Sequence, residues 1–245
     1  MPTKAMIFAA GLGTRLRPFT KTHPKALFPL NGKTLLQYQI EKLEAAGVRD
    51  IIVNVHHFAE QIADYLRANN NFGLHIELSD ERDNLLETGG GLLHARHFFD
   101  AEPFIACNAD ILSNLDIRDL LAAHRRDDMA TVVVSERETK RYLLFDKEDC
   151  MRGWTNTSTG EVRPKNITGN ANALKRLAFS GMQVLNGDIF RHMSGMGERF
   201  SLIDLYVKNC AEQRILAYIP KNYRMMDIGK TEILHEAEQF ARSLE

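Results

Sequence analysis

Apolar residues in the first half of the chain form short runs that alternate with segments of helical spacing. The runs are nearly continuous, which is typical of strands covered on both faces of a parallel sheet. The first helical segment is followed by Gly47, a common stop signal. Strands that alternate with helices predict parallel pairing with right-handed crossovers. The predicted strands span residues 5–10, 50–55, 74–78 and 103–108, and the predicted helices span 34–46, 58–68 and 90–98.

The pattern changes in the second half, where strand-like segments follow one another without helices between them. A polar and irregular stretch over residues 156–172 lies among these segments, which we interpret as a small β flap. We expect one α/β domain over residues 1–245, a Rossmann-like three-layer sandwich with a mostly parallel central sheet. The predicted strands here span 131–134, 142–145, 151–154, 179–185 and 215–219, and a helix is predicted from about 231 to 240.

Composition limits the possible partners. The chain of 245 residues has 31 basic and 32 acidic side chains and a formal net charge of −1, so no general basic field favours nucleic acid or an anionic membrane. Three distant cysteines without a Cys-x-x-Cys pair favour a reducing compartment, and we expect a cytoplasmic protein without structural zinc. The apolar run after Met1 covers only about six residues, too few for a signal peptide or a membrane span.

The loop after the first strand combines small residues with positive charge. Missing side chains let backbone N–H groups approach an anion, and the basic side chains add fixed charge. We therefore predict a cradle for a polyphosphate, although a tight turn with solvated cations is the alternative. The small residues are Ala9, Ala10, Gly11 and Gly13, the basic ones are Arg15, Arg17 and Lys25, and Pro18 and Pro24 restrict the backbone between them.

Two familiar phosphate motifs are excluded. A dinucleotide-binding Gly-x-Gly-x-x-Gly needs a third glycine where this loop has Leu16. Two Gly-Lys-Thr triplets, at residues 32–34 and 229–231, resemble the end of a P-loop. Their required first glycines are replaced by Leu27 and Arg224. A P-loop kinase or ATPase is therefore disfavoured.

Three consecutive glycines open a predicted helix at residues 89–91. Each costs about 1 kcal/mol relative to alanine inside a helix, so the run needs another reason. We interpret it as a place where a flat ligand such as a nucleobase approaches the backbone, with a flexible loop as the alternative. Asn54, at the end of a predicted strand, could offer its amide to the same base.

Two aspartates follow predicted strands, where open α/β sheets bind ligands. Asp110 ends the strand 103–108, and Asp227 follows the strand 215–219. Asp116 is the better candidate for capping the next helix, which leaves Asp110 free to hold a metal. Only a folded sheet can bring the two acids together, so their spacing alone proves nothing.

Residues 8–18, FAAGLGTRLRP, followed by Pro24 and Lys25, resemble the signature of the sugar-1-phosphate nucleotidyltransferases, or nucleotide-sugar pyrophosphorylases. The resemblance implies the nucleotide-diphospho-sugar transferase fold, with a nucleotide-binding half over 1–128 and a sugar-binding half over 129–245. It implies catalytic roles for Arg15, on the leaving pyrophosphate, and for Lys25, on the reacting phosphates. The implied nucleotide-binding set is Ala9, Ala10, Gly11, Gly13, Thr14, Asn54, Glu87, Thr88 and Gly89.

The same resemblance extends to the second half. It implies that Asp110 and Asp227 hold Mg²⁺, with Met225 where the family usually has tryptophan, and that Gly181 lies against the sugar. The usual Glu-Lys-Pro stretch is not recognisable, so a second phosphate-binding lysine is open between Lys165 and Lys175.

The implied partners are a nucleoside triphosphate and a sugar 1-phosphate, with no nucleic acid and no membrane. Uridylyl transfer to an N-acetylated amino-sugar phosphate ranks first. Guanylyl transfer to mannose 1-phosphate or a heptose phosphate ranks second. A non-catalytic nucleotide-sugar sensor is the rival, and intact metal carboxylates argue against it.

Overall fold

The computed structural model describes residues 3–167, 173–229 and 231–244. Part of the predicted irregular stretch, residues 168–172, and Lys230 lie outside the described residues. The strands are β1 Lys4–Phe8, β2 Pro29–Leu30, β3 Lys33–Thr34, β4 Asp50–Val55, β5 His75–Asp80, β6 Phe104–Asn108, β7 Ile111–Ser113, β8 Asp128–Ser135, β9 Arg141–Phe145, β10 Met151–Asn156, β11 Glu161–Arg163, β12 Lys175–Leu185, β13 Arg214–Tyr218 and β14 Met225–Asp227. The helices are α1 Leu35–Ala45, α2 Ala59–Ala68, α3 Glu87–His94, α4 Ile117–Ala123, α5 Leu202–Asn209 and α6 Leu234–Arg242.

The central sheet has a parallel part and an antiparallel extension. Strands β6, β1, β4 and β5 are neighbours in that order and pair in parallel, as the alternation of strands and helices predicts. Strand β12 then joins β6, β8 and β9 in antiparallel pairing, and β9, β10 and β11 continue as a meander. Strand β13 pairs in parallel with β8. One sheet therefore runs through both halves of the chain.

Alternate residues of β1 face opposite layers of the molecule. Ala5 and Ile7 pack in a core cluster with side chains of α1, α2 and α4. Met6 belongs to a second cluster that includes side chains of α3 and α5. Because all three residues are fully buried, β1 is covered on both faces. This is the expected three-layer sandwich, with β1 in the sheet that forms its middle layer.

Helix α1 shows how the sequence sets local structure. Thr34 caps it, its side chain accepting the Gln37 N–H at 3.1 Å. Leu36, Ile40 and Leu43 recur at helical spacing and are fully buried. Gly47 follows with φ +90°, the left-handed conformation that ends many helices.

Several predicted boundaries were wrong for identifiable reasons. The first strand ends at Phe8 because the Ala9 N–H donates to the Asn54 side chain instead of a neighbouring strand. The glycine run is part of α3, which begins at Glu87, and residues 95–98 form a 3₁₀ turn. The stretch 156–172 is not wholly irregular, since β11 pairs there with β10. Among the described residues no helix is both long and apolar enough to cross a membrane.

Candidate active site

A cavity of about 390 Å³ opens at the carboxyl ends of β1, β4 and β6. In an open α/β sheet this edge collects the loops that bind ligands. The first loop, the end of β6 and the segment before α3 supply most of the wall. The lining residues are Phe8, Ala9, Ala10, Gly11, Lys25, Ala26, Asn54, Glu81, Leu85, Glu87, Thr88, Asn108, Ala109, Asp110 and Ser201.

The loop after β1 folds back onto Lys25. Gly13 has φ +58°, and its carbonyl accepts the Thr20 hydroxyl at 2.9 Å. A Cβ at Gly13 would lie 2.8 Å from the Lys25 Cβ, closer than real Cβ atoms approach another carbon. Both the backbone conformation and the close approach therefore require glycine. Gly11, Thr14 and Arg15 are exposed on the same loop.

Lys25 joins the loop to two carboxylates. Its ammonium donates to Asp110 Oδ2 and lies 3.9 Å from Asp227 Oδ1. Only 11% of the Lys25 side chain is exposed, so the position of this charge is largely fixed by packing. One cation thus faces two carboxylates at the edge of the cavity.

The short pair β7–β14 brings the two aspartates together. Asp227 pairs with Ile111 in antiparallel register, and the Ile228 N–H donates to the Asp110 carbonyl at 2.9 Å. Asp110 and Asp227 therefore lie side by side although they are far apart in the sequence. Arg15 lies beside them. The position that a Cβ would take at Gly229 is 2.9 Å from Arg15 Nη2 and also 2.9 Å from Asp227 Oδ1, so these two side chains approach each other there.

The charges around Asp227 oppose one another. Half of its side chain is exposed, yet the surrounding protein still desolvates the carboxyl and raises its pKa. The charge of Asp110 raises that pKa further, and the cations of Lys25, Arg15 and Arg137 lower it. Positive charge next to the two carboxylates is therefore stabilising.

The donor set at this edge fits Mg²⁺. This ion commonly uses one or two carboxylates and completes its shell with water and substrate phosphates. Asp110 and Asp227 supply such a pair beside an open cavity. No cluster of three His, Cys, Asp or Glu side chains that could hold a metal occurs in the described part of the chain.

Asn54 and Glu81 form a buried polar pair beneath the cavity. The Asn54 Oδ1 accepts the Ala9 N–H at 2.7 Å, and its Nδ2 donates to Glu81 Oε1 at 2.7 Å. Glu81 also accepts the Leu86 N–H at 3.2 Å. Burial raises the pKa of Glu81, and the bond from Asn54 opposes that effect. Asn54 therefore fixes the end of β1 as well as lining the cavity.

Sequence reasoning missed Glu81 and Asn108. Glu81 follows β5 directly, so it is an acid after a strand, the signal that singled out Asp110. Asn108 is the last residue of β6, two positions before Asp110. Each lines the cavity, and each could have been found by reading every strand end for polar side chains.

The glycine run packs against protein. The N–H groups of Gly89 and Gly90 donate to the Phe200 carbonyl at 2.9 and 3.0 Å. A Cβ at Gly89 would clash with the Phe200 ring, and one at Gly90 with the Glu198 carbonyl. Gly89 does not line the cavity, unlike its neighbour Thr88. Packing therefore explains Gly89 and Gly90. The predicted contact of Gly89 with a base gains no support from the lining of the cavity.

Gly181 reaches the site from the second half of the chain. It has φ +75° and lies where the pairing of β12 with β8 shifts register. A Cβ there would lie 2.7 Å from Ile111 Cγ1 and 3.1 Å from Asn108 Nδ2. Lys175, one of the two candidates for a second phosphate-binding lysine, is paired with Asp149 at 2.7 Å.

Known proteins resemble this chain in sequence. The profile of the nucleotidyl transferase family matches residues 4–152. The chain belongs to that family. This nucleotidyltransferase is 32% identical over 230 residues to the N-acetylmuramate alpha-1-phosphate uridylyltransferase of Caulobacter vibrioides, which covers 91% of each chain. It is 29% identical over 211 residues to the mannose-1-phosphate guanylyltransferase catalytic subunit beta of Drosophila pseudoobscura pseudoobscura, which covers 82% of this chain and 56% of that relative.

Solved structures match the nucleotidyltransferase over nearly its whole length. A UDP-glucose pyrophosphorylase complexed with UDP-glucose has a TM-score of 0.78 at 22% identity, covering 100% of each chain. HddC from Yersinia pseudotuberculosis complexed with GMP-PN has a TM-score of 0.77 at 23% identity, covering 98% of this chain and 99% of that one. The expected nucleotide-diphospho-sugar transferase fold is confirmed.

Proposed function

We propose that this nucleotidyltransferase makes a nucleotide-sugar and pyrophosphate from a nucleoside triphosphate and a sugar 1-phosphate. The convergence of Lys25, Asp110 and Asp227 at the edge of the cavity, with Arg15 beside them, carries the proposal. A phosphate oxygen of the sugar 1-phosphate attacks the α-phosphorus, and the bond to pyrophosphate breaks. No covalent enzyme intermediate is required.

Both reactants are polyanions, so the protein must align them and offset their charge. Lys25 is held rigidly and steadies the phosphate under attack. Arg15 is exposed on the loop after β1, where with the N–H groups of Gly11 and Thr14 it stabilises the pyrophosphate as it leaves. Mg²⁺ on Asp110 and Asp227 would supply Lewis-acid stabilisation of the phosphate charge.

The choice of base and sugar follows the relatives that the chain resembles. We infer uridylyl transfer to an N-acetylated amino-sugar 1-phosphate first, in line with the Caulobacter relative, and guanylyl transfer to mannose 1-phosphate second, in line with the Drosophila relative.

The test is pyrophosphate release from UTP, GTP, ATP and CTP, each with N-acetylmuramate 1-phosphate, glucose 1-phosphate and mannose 1-phosphate in the presence of Mg²⁺. We expect the highest kcat/KM with UTP and N-acetylmuramate 1-phosphate. Highest turnover with GTP and mannose 1-phosphate would select the second assignment. Tight nucleotide-sugar binding without pyrophosphate release from any pair would instead identify a sensor and refute the proposal.

A further inference from the structure

Gly91, the third glycine of the run in α3, packs against the buried pair of Asn54 and Glu81. A Cβ at Gly91 would clash with Glu81 Oε1 and lie 3.0 Å from Asn54 Nδ2. Because only glycine lacks this atom, a larger residue here would have to displace the carboxylate or the amide. Gly89 and Gly90 contact the 198–200 segment, so the third glycine has a reason of its own, which is to leave room for this pair.

Glu81 determines which way the side chain of Asn54 faces. The two residues are only 3% and 2% exposed, so the protein must supply their hydrogen-bond partners. An ionised carboxylate accepts hydrogen bonds but donates none, so Asn54 must turn its Nδ2 toward Glu81. The amide oxygen then faces the opposite way, where it accepts the Ala9 N–H. The acid therefore fixes the orientation of the amide.

The same pair holds two sides of the cavity. On one side, Ala9 lines the cavity and begins the loop after β1. On the other side, the second oxygen of Glu81 accepts the Leu86 N–H, and Leu86 lies within the segment 85–88, most of which lines the cavity. Three hydrogen bonds in series, from Leu86 through Glu81 and Asn54 to Ala9, therefore connect the segment before α3 to the loop.

We propose that Glu81 is a positioning residue for the nucleoside triphosphate, because it fixes the loop after β1 and the segment before α3 relative to each other. The inference rests on the proposed function, in which these two segments enclose the nucleotide. A site that is ordered before binding spends less of the interaction energy on ordering, so its affinity is higher. Glu81 thus acts on the nucleotide through Asn54 and Leu86.

Exchanging the acid and the amide tests the direction of these hydrogen bonds. Glu81→Gln introduces an N–H donor that must face either Asn54 Nδ2 or the Leu86 N–H, and it lets the Asn54 amide reverse. Asn54→Asp instead places two carboxylates against each other in a buried place. The double variant restores the pattern: the carboxylate at position 54 accepts from Ala9 and from the amide at 81, whose oxygen accepts from Leu86.

Tyr206→Phe is the matched control for a loss of stability alone. The Tyr206 hydroxyl donates to Gln183 Oε1 at 2.8 Å, and both residues are buried away from the cavity lining. Its loss removes a buried hydrogen bond, as Glu81→Gln does, without touching either segment. Gly91→Ala is a further test, because its Cβ meets Glu81 although alanine favours a helix over glycine. Calorimetry with Mg²⁺ would measure UTP and GTP binding, and thermal unfolding would measure stability.

For the tighter of the two nucleotides we expect Kd to rise about tenfold or more in Glu81→Gln, Asn54→Asp and Gly91→Ala. The double variant should return to within about threefold of the wild type, and Tyr206→Phe should lose stability with Kd within about twofold. A wild-type Kd in Glu81→Gln, an equal rise in Tyr206→Phe, or a double variant that binds no better than Glu81→Gln would each overturn the assignment. Calorimetry needs no turnover, so a wild type that binds nucleotide without releasing pyrophosphate would refute the proposed function and still test Glu81.

Discussion

The ammonium of Lys25 contacts Asp110 and lies 3.9 Å from Asp227, so a single side chain offsets two carboxylates. Lysine suits this position because its charge is compact, whereas a planar guanidinium would need more room in a place that is only 11% exposed. Gly13 contributes by letting the loop backbone approach the Lys25 stem. Gly13 therefore helps to position the residue that carries the positive charge.

Arg15→Ala should lower turnover without disturbing the fold. Arg15 is exposed, so its loss removes little packing, but it takes away charge that stabilises the leaving pyrophosphate. We expect kcat/KM to fall by about a hundredfold, roughly 3 kcal/mol, with a nearly constant melting temperature. Lys21→Ala, an exposed cation farther along the same loop, is the control. A folded Arg15→Ala enzyme with wild-type kcat/KM would show that Arg15 has no such role.

Gly89→Ala should lower the stability of the fold, whereas Gly11→Ala should lower triphosphate affinity. An alanine Cβ at Gly89 meets the Phe200 ring, so we expect a loss of about 1–3 kcal/mol in the free energy of unfolding. At Gly11 no atom lies within 4 Å of that Cβ, so stability should change by less than about 0.5 kcal/mol while triphosphate affinity falls. Urea denaturation and calorimetry measure the two quantities. Equal stabilities for the two variants would contradict the packing assigned to Gly89.

At the scale of elements, the strands β7 and β14 matter most to the site. Each has three residues, and their pairing places Asp110 beside Asp227. The sequence predicts an acid after a strand in both places, because that position depends only on local patterns. It cannot predict the pairing, since strands this short have no detectable periodicity and their contact joins distant parts of the chain.

The glycine run illustrates the other limit of sequence reasoning. The pattern at residues 89–91 correctly indicates a close approach, because only glycine lacks the Cβ that would obstruct it. The partner of Gly89 and Gly90 in that approach is the 198–200 segment, which lies more than a hundred residues away. Local sequence can therefore show that room is needed, but only the fold identifies what occupies the room.

Asp110→Asn and Asp227→Asn should each abolish most activity. Either change removes a charged oxygen ligand from a hard cation, so we expect initial rates to fall on the order of a hundredfold or more and the double variant to be scarcely worse. Because burial and the charge of Asp110 raise the pKa of Asp227, ionising this carboxyl costs more in the fold than in the unfolded chain, so Asp227→Asn should raise stability without metal at neutral pH.

Mg²⁺ titration of initial rates in the three aspartate variants checks the first expectation, and thermal unfolding in a chelator checks the second. Asp116→Asn is the control, because Asp116 caps α4 and ion-pairs with Arg118 on the surface. Near-normal rate and Mg²⁺ dependence in Asp227→Asn would show that the β7–β14 pair does not build a metal site.

At the scale of the whole molecule, one sheet connects the two halves through β12. This strand pairs with β6 of the parallel part and with β8 and β9 of the extension. The site lies where these parts meet, with Lys25 and Asp110 from the first half and Asp227 and Gly181 from the second. The alternation of strands and helices is sufficient to predict the parallel part, whereas the antiparallel extension depends on pairings between distant residues.

Lys42 connects the helical layer to this sheet and should make global stability depend on pH. It lies on α1 and donates to the Ser113 carbonyl at the end of β7, at 2.8 Å. Burial lowers the pKa of Lys42 from 10.5 to about 8, against the smaller raising effects of Cys107 and Asp116. The unfolded chain therefore holds this proton over a pH range in which the folded protein has lost it.

Between pH 8 and 10.5, this difference in bound protons should make the contribution of Lys42 to the free energy of unfolding rise with pH. Below pH 8 both states are protonated, so the contribution there is constant and unfavourable. Relative to Lys42→Met, the wild type should gain about 1–3 kcal/mol across the range, with a slope of at most about 1.4 kcal/mol per pH unit. Urea denaturation of both proteins at half-unit steps of pH measures the difference, and Lys147→Met, at a lysine whose side chain is 89% exposed, is the control. If the curves of wild type and Lys42→Met stay parallel through this range, Lys42 keeps its proton in the fold and its ammonium is well solvated.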